Sequence, residues 1–549
     1  LIKISFLGGL GDFGKNMTVI EHGGALLVVD CGSMFPEADI PGIDLIIPDF
    51  SYVLDNADRV AGLVLTHGHE DHIGAAPFLL KRLPMPVFAS RLTMGLLNRK
   101  LSEMGVEPTS RTILEPGKQV GAGPFSVEGI PVTHSIPDAM SLAIGTPEGT
   151  LLHTGDFKLD QTPLDHRLTH YDRLQELGRQ GILAMLVDST NVEIEGMVGS
   201  EVRVRDTLDR YISTLDSNKL IITLFSTNLM RIQAIYDLAA KYKKKVALFG
   251  RSLVQNARVG EEVGYLHIPG GVSIAADEVS SYSPEDVIIL VAGSQGEPQA
   301  AMTRVAFDEC KNFGVEEGDH LILSARIIPG NEKRVARVIN QVYRKGGEVV
   351  TARDDRVHVS GHGAQEEIMM MASWIRPKYY IPVHGELRQL KGNATLAKQM
   401  GYDDAHILVS DLGESLTFEK GEFASRGEVP TGSWLIDGDD TDPVDRLVVR
   451  DRRHLSNDGV VVPIVVISRQ AGRMESEPEI ISRGYPTLEG ATETVEEVKG
   501  DLVAMVRSLS VQEIRDSSIL KAKVKSTVKR TLKRNEARIP LIIPVVMEI

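Results

Sequence analysis

Thr66-His67-Gly68-His69-Glu70-Asp71-His72 is the stretch on which the reading of this chain turns. Three histidines and Asp71 fall within six residues, directly after the apolar run 62–65. Two histidines at i and i+2 of an extended segment project to one side, which leaves Asp71 and His72 to face a second ion. Imidazoles suit Zn, Fe or Mn-type cations, and carboxylates accept or bridge them. Histidine is scarce here, 15 in 549 residues, so a metal-binding loop explains the cluster better than a polar surface loop does.

The same strand-then-ligand rhythm recurs along the chain. Asp30 follows 25–29, His134 follows 125–133, Asp156 follows 150–153, and His384 follows 379–383 in Val-His-Gly-Glu. Asp188 follows 183–187. Short strands whose ends deliver His or Asp place polar groups along one sheet edge. Singly, each is an ordinary capped turn; together they supply enough donors for two metals. Between about 201 and 352 the pattern changes to alternating helices and strands, with helices at 202–215, 228–241 and 332–344 and strands at 220–225, 245–249, 286–291 and 321–324. That alternation predicts a parallel sheet covered by helices. Because 358–363 and 379–385 return to strands ending in histidines, the middle domain is expected to be an insertion. The glycine-rich stretch 422–438 reads as a linker, and 439–549 as a third small α/β domain.

Composition sets outer limits. Lys+Arg 60 against Asp+Glu 75 gives a net charge of −15, which excludes a general coat of positive surface for nucleic acid. Two cysteines, Cys31 and Cys310, exclude a disulfide framework and a thiolate zinc site and fit a reducing cytoplasm. No window approaches the roughly 18 apolar residues of a membrane span. The first residues read as a strand and glycine turn, not a signal peptide; since the first residue is Leu1 rather than Met, a short leader is expected to precede it.

The His-x-His-x-Asp-His motif with downstream His, Asp and His resembles the metallo-β-lactamase superfamily, and the inserted domain resembles the β-CASP insertion of nucleic-acid nucleases. The phrases Gly293-Ser294-Gln295-Gly296-Glu297-Pro298, Pro329-Gly330-Asn331-Glu332 and His358-Val359-Ser360-Gly361-His362-Gly363 are similar to those of the bacterial ribonuclease J family, and the similarity covers nearly the whole chain. The resemblance implies an α/β fold: a metallo-β-lactamase αββα sandwich (1–200 and 353–421), an inserted β-CASP α/β domain (201–352), a linker (422–438) and a small C-terminal α/β domain (439–549). It implies one metal held by His67, His69, His134 and Asp156 and a second by Asp71, His72, Asp156 and His384, with Asp30 in support. Two divalent ions per chain follow, Zn first and Mn as the alternative. Asp188 and His362 would match the first two β-CASP motifs, and His384 the third.

The implied activity is metal-dependent hydrolysis of single-stranded RNA, 5′-to-3′ from monophosphate ends and also internal, in cytoplasmic RNA processing and decay. Asp71 could orient the attacking water, and His362 the leaving oxygen. A terminal phosphate would meet the Ser360–Gly361–His362–Gly363 turn together with Ser226, Asn228, Arg231 and Asn331, although Ser and Asn before helices are commonly N-caps. Met230 departs from the pattern, since many relatives carry His there. The 293–298 segment lacks the Gly-Lys-Ser/Thr of a P-loop and reads as a turn before a helix at 298–304. A thioesterase, lactamase or DNA nuclease of the same superfamily is one competing reading; a scaffold with a vestigial site in an RNA-decay assembly is another. The long insertion disfavours the small-substrate enzymes, and the intact ligand set the scaffold. The C-terminal domain is expected to support a homodimer or homotetramer. Between Lys521 and Arg538, eight Lys/Arg and one Glu give +7 and leave −22 for the rest; that segment reads as a solvated helix face or as an RNA contact.

Overall fold

The computed structural model describes every residue except 37–39, 216, 329, 439–441, 469, 486–487, 489–491 and 536–537, and omits the side chains of 492 and 535. Pro329, Glu536 and the expected boundary at 439 therefore lie outside the described residues. The chain divides into two compact units, Leu1–Met34 with Ile46–Trp434, and Phe35–Leu45 with Leu435–Ile549.

Two sheets organise the first unit. The larger runs Glu422–Glu428, Glu414–Glu419, Ile2–Gly8, Met17–His22, Ala25–Val29, Val60–Val64, Pro86–Ala89, Ser110–Ile113. The other runs Tyr379–Val383, Ala184–Asp188, Gly149–His153, Met140–Thr146, Phe125–Pro131, Gln119–Ala122. Ile4, Phe6, Val29 and Val64 of the first sheet share one fully buried cluster with Leu142, Leu151, Leu186 and Ile381 of the second. Strand alternation supplies those apolar inner faces, and helices such as Tyr171–Gln180, Gln365–Ile375 and Leu387–Gln399 cover the outside. The αββα sandwich expected from the motifs is present.

Tyr379–Val383 pairs in parallel with Ala184–Asp188, so chain from beyond the insertion completes the second sheet. The inserted segment forms its own six-stranded sheet, ordered Ser273–Ile274, Lys245–Phe249, Val287–Val291, Leu220–Thr223, His320–Leu323, Glu348–Val350, every neighbour parallel. Its two central strands are buried at every residue, as expected where helices cover both faces.

Four expectations need correction. Residues 422–428 are not linker: Glu422–Glu428 pairs antiparallel with Glu414–Glu419. The hairpin turn places both Lys420 (φ 50°) and Gly421 (φ 74°) in the left-handed region, the geometry two-residue hairpins favour. Its polar, largely exposed sequence suits an edge strand that buries neither face. The segment 358–363 is a loop, not a strand, because side chains rather than a ladder hold its backbone. The helix expected at 298–304 is Ala301–Ala306, with Pro298 left in the preceding turn. Finally, the C-terminal strand is broken at Pro544 into Leu541–Ile542 and Val545–Glu548, which both pair with Val460–Ser468.

In the second unit, Val460–Ser468 is the central strand, flanked by Glu479–Arg483 and the two C-terminal pieces. Val461, Val465 and Ile467 face a core closed by Val498, Leu502 and Val506 of helix Thr492–Arg507 and by Leu520, Val524, Val528 and Leu532 of helix Ser517–Asn535.

Candidate metal centre

The site lies where strand ends of both sheets meet. Asp30, at φ 59° just past Ala25–Val29, accepts hydrogen bonds from Thr66 N and Thr66 Oγ1, both 2.8 Å, and from His72 Nδ1 at 2.7 Å. One carboxylate thus fixes both the start and the end of the histidine loop. Gly32 makes this packing possible: a Cβ there would lie 1.5 Å from the Asp71 carbonyl oxygen, so any other residue would push the loop away.

Three overlapping donor groups converge, each with its ligand atoms within 4.8 Å of one another: His67, His69, His134 and Asp156; Asp71, His72, Asp156 and His384; and Asp156, Asp188, His362 and His384. Asp156 belongs to all three. Its Oδ2 lies 3.2 Å from His72 Nε2, 3.6 Å from His67 Nε2, and 3.8 Å from both His134 Nε2 and His384 Nε2.

The other ring nitrogen of several histidines is anchored. His134 Nδ1 donates to Gly361 O at 2.7 Å, His72 Nδ1 to Asp30, and His384 Nδ1 lies 2.7 Å from Thr190 Oγ1 and 3.3 Å from Asp188 Oδ1. Anchoring one nitrogen orients the ring and leaves the other as a donor, the arrangement metal-binding histidines adopt. The donors therefore fit two cations: an imidazole-rich position and a mixed imidazole–carboxylate position. Gly361 is required at its place, since a Cβ would come within 2.7 Å of the His134 ring.

Charge at the centre follows burial and neighbours. Burial pushes His67 and His134 well below the ordinary histidine range and His69 down to about 4, which keeps them neutral and able to donate lone pairs. Burial also opposes charge on His384, yet Asp156, Asp188 and Asp71 outweigh it and raise this group to about 10. His72 and His362 rise for the same reason, against burial, chiefly through Asp156 for the former and Asp188 for the latter. Asp71, Asp156 and Asp188 fall below the usual carboxylate range despite burial, because histidines surround them. Two buried carboxylates, Asp156 and Asp188, with the partly exposed Asp71 beside them, call for positive charge, and a divalent cation meets that demand by displacing protons.

The expected phosphate-contact residues divide. Ser226 is partly buried and accepts from Asn256 Nδ2 at 3.0 Å. Asn331 is partly buried, its Nδ2 3.5 Å from Gln295 Oε1. Asn228 is an N-cap, its Oδ1 accepting from Arg231 N at 3.1 Å. Arg231 does not fit the expected role: only 1% exposed, its guanidinium is bound at 2.6 and 3.1 Å to Glu201 and at 2.6 Å to Ser324 O. A buried guanidinium has to be paired, and these partners leave it no edge for a phosphate. Nor is the 360–363 turn an open row of donors. His362 N donates to Ser360 Oγ and Gly363 N to Phe157 O. Among the described residues, Gly361 N has no partner.

Two residues not singled out from sequence hold this turn. Buried Asn191 donates through Nδ2 to Ser360 Oγ at 2.8 Å and to His362 O at 2.7 Å, while its Oδ1 accepts from Arg326 Nη1 at 2.8 Å. Arg326 is exposed. The available signal was the polar run Asp188-Ser189-Thr190-Asn191 immediately after a strand. His362 itself gives Nδ1 to Asp188 Oδ2 at 2.8 Å, and its ring stacks 5.4 Å from that of His384. A cavity of about 650 Å³ opens beside the centre, lined among others by Thr133, His134, Lys158, Arg167, Met230 and Tyr265.

Four family models match the chain: the metallo-beta-lactamase superfamily over residues 10–190, the ribonuclease J beta-CASP domain over 217–342, the Zn-dependent metallo-hydrolase RNA specificity domain over 348–408, and the ribonuclease J C-terminal domain over 447–549. Ribonuclease J of Mycobacterium tuberculosis is 38% identical over 550 residues, covering 100% of this chain and 97% of that protein. Ribonuclease J2 of Bacillus subtilis is 35% identical over 556 residues, covering 100% and 99%. Among solved structures, a protein of unknown function from Enterococcus faecalis matches with a TM-score of 0.53 at 16% identity over 75% of this chain and 99% of its own, a likeness of fold alone.

Proposed function

The chain belongs to the ribonuclease J family, and from that premise we propose how its centre works on single-stranded RNA: as a metal-dependent hydrolase, 5′-to-3′ from monophosphate ends and also internally, in RNA processing and decay. The observation that carries this reading is Asp156 shared between two four-donor groups in a chain aligned end to end with ribonuclease J.

His67, His69, His134 and Asp156 would hold one ion, and Asp71, His72, Asp156 and His384 the other, Zn by the imidazole share of the donors and Mn as the alternative through the carboxylates. When bound, the pair supplies Lewis-acid activation of water and neutralises phosphodiester charge. The protein's own groups do the rest. Asp30 and Thr66 hold the histidine loop rigid. Asp71 orients the attacking water. Asp188 fixes His362 through Nδ1 and favours its charged form, so Nε2 carries a proton to the departing 3′-oxygen. Asn191 keeps the His362 turn at its station. Ser226, Asn331, Ser360 and Gly361, with Arg326 in place of Arg231, meet a terminal phosphate, and positioning alone then sets where the chain is cut.

His362→Ala is expected to keep two metal ions, measured by elemental analysis, and to lose on the order of 10²–10³-fold in turnover; near-normal hydrolysis would remove His362 from the mechanism. The reading as a whole is tested on one RNA carrying either a 5′-monophosphate or a 5′-triphosphate. Stepwise release of mononucleotides should strongly favour the monophosphate, and equal rates would sink the terminal-phosphate pocket.

Assembly is part of the same proposal. In the second unit, Val462, Ile464 and Val466 alternate with core residues and stay partly exposed, and Ile481 and Met547 on flanking strands are 41% and 52% exposed. A second copy of the chain would cover such a sheet face, giving a homodimer or homotetramer. Among the described residues no helix is long and apolar enough to cross a membrane, and both cysteines are free, which supports a cytoplasmic site of action.

A further inference from the structure

The helix Ser517–Asn535 has two parallel stripes. Leu520, Val524, Val528 and Leu532 repeat every fourth residue and are fully buried. One residue further on at each step stand Lys521, Lys525, Lys529 and Lys533, all exposed. Like charges at i and i+4 disfavour a helix, and the usual surface solution alternates Glu with Lys. This helix instead repeats lysine four times, with Arg530 beside them. Its other cations are paired: Lys523 with Glu513 at 2.9 Å, and Arg534 with Asp501 at 3.4 Å and Glu497 at 3.7 Å. Among the described residues the four lysines and Arg530 have no carboxylate within ion-pair distance.

With a rise of 1.5 Å per residue, the stripe sets one positive charge about every 6 Å along roughly 18 Å. It does so on a chain whose net charge is −15. A linear array of unpaired ammonium groups matches a linear polyanion. A membrane surface fits less well, because Ala522 and Ser526 between the lysines offer no apolar wedge for a bilayer.

We propose that the Lys521–Lys525–Lys529–Lys533 stripe is a second RNA-binding surface, which holds the phosphate backbone of a long single-stranded substrate independently of its sequence. The proposal rests on the ribonuclease reading. It makes the C-terminal unit a tether that raises the local concentration of RNA for the metal centre, and it predicts that long RNAs are bound more tightly than short ones.

The test compares full-length, metal-loaded wild-type protein with the triple variant Lys525→Gln, Lys529→Gln, Lys533→Gln. Gln matches Lys in helix propensity and relieves the like-charge pairs, so the thermal midpoint should stay or rise. The probe is a 30-nucleotide single-stranded phosphorothioate RNA, which keeps every linkage charge and resists hydrolysis, followed by fluorescence anisotropy in 50–200 mM KCl. Three lost phosphate contacts should lower the slope of log affinity against log salt by about 2 and weaken binding at 50 mM salt by on the order of tenfold. A triple Lys→Arg variant should restore both. An unchanged slope, with binding within twofold of wild type, overturns the proposal, as does a loss confined to anionic phosphatidylserine vesicles. Binding is read without turnover, so the two readings fail differently. An inactive metal centre abolishes hydrolysis of ordinary RNA and leaves the slope difference; a helix that ignores RNA leaves hydrolysis and removes the difference.

Discussion

Asp156→Asn is expected to abolish RNA hydrolysis and, with it, the second metal ion. Asp156 Oδ2 faces Nε2 of four histidines at 3.2–3.8 Å, and no other carboxylate is common to the three donor groups. Asparagine keeps the shape but replaces a shared anion by a neutral amide, so neither position retains its charge complement. A loss in turnover on the order of 10³-fold or more is expected, with fewer than two ions per chain by elemental analysis. The sandwich itself should survive, because its core is apolar and separate from the centre. Two stoichiometric ions together with near-normal turnover would defeat the assignment.

Arg231→Met has the largest expected effect on stability. Arg231 and Glu201 are each 1% exposed and joined by two hydrogen bonds. Burial works against the Glu201 charge, and Arg231 overcomes it to hold the carboxyl below its ordinary value. Removing the guanidinium strands a buried carboxylate and also frees Ser324 O, at a cost of about 3–5 kcal/mol. The variant should unfold at markedly lower urea, followed by circular dichroism of the full chain. The double variant Arg231→Met, Glu201→Leu should regain most of the loss, since an apolar pair replaces an ion pair more cheaply than half of one. A phosphate-binding Arg231 predicts the reverse: unchanged stability and a raised KM.

That contrast shows where a linear reading reaches its limit. The His67–His72 loop is legible because all its donors lie on one short segment, and Asp30, His134, Asp156, Asp188 and His384 because each follows an apolar strand. Their convergence needs only the rule that strand ends gather at one edge. Arg231 sits in an equally suggestive phrase, but its partners Glu201 and Ser324 are 30 and 93 residues away, and burial cannot be read from an arginine's name. Asn191 stays hidden for the same reason, since it acts on a turn 169 residues further on. The edge strand Glu422–Glu428 is missed because an edge buries neither face and so leaves no alternation to see.

The parallel pairing of Ala184–Asp188 with Tyr379–Val383 also sets a schedule for the nascent chain. Asp188 leaves the ribosome 196 residues before His384, with the whole inserted sheet between them. At roughly 5–20 residues per second, that is about 10–40 s during which the first donors exist without the last. For that interval the emerging polypeptide, still attached to a translated message, holds no complete second donor group. A potential RNA hydrolase is thereby made beside RNA with its centre unfinished until Tyr379–Val383 docks.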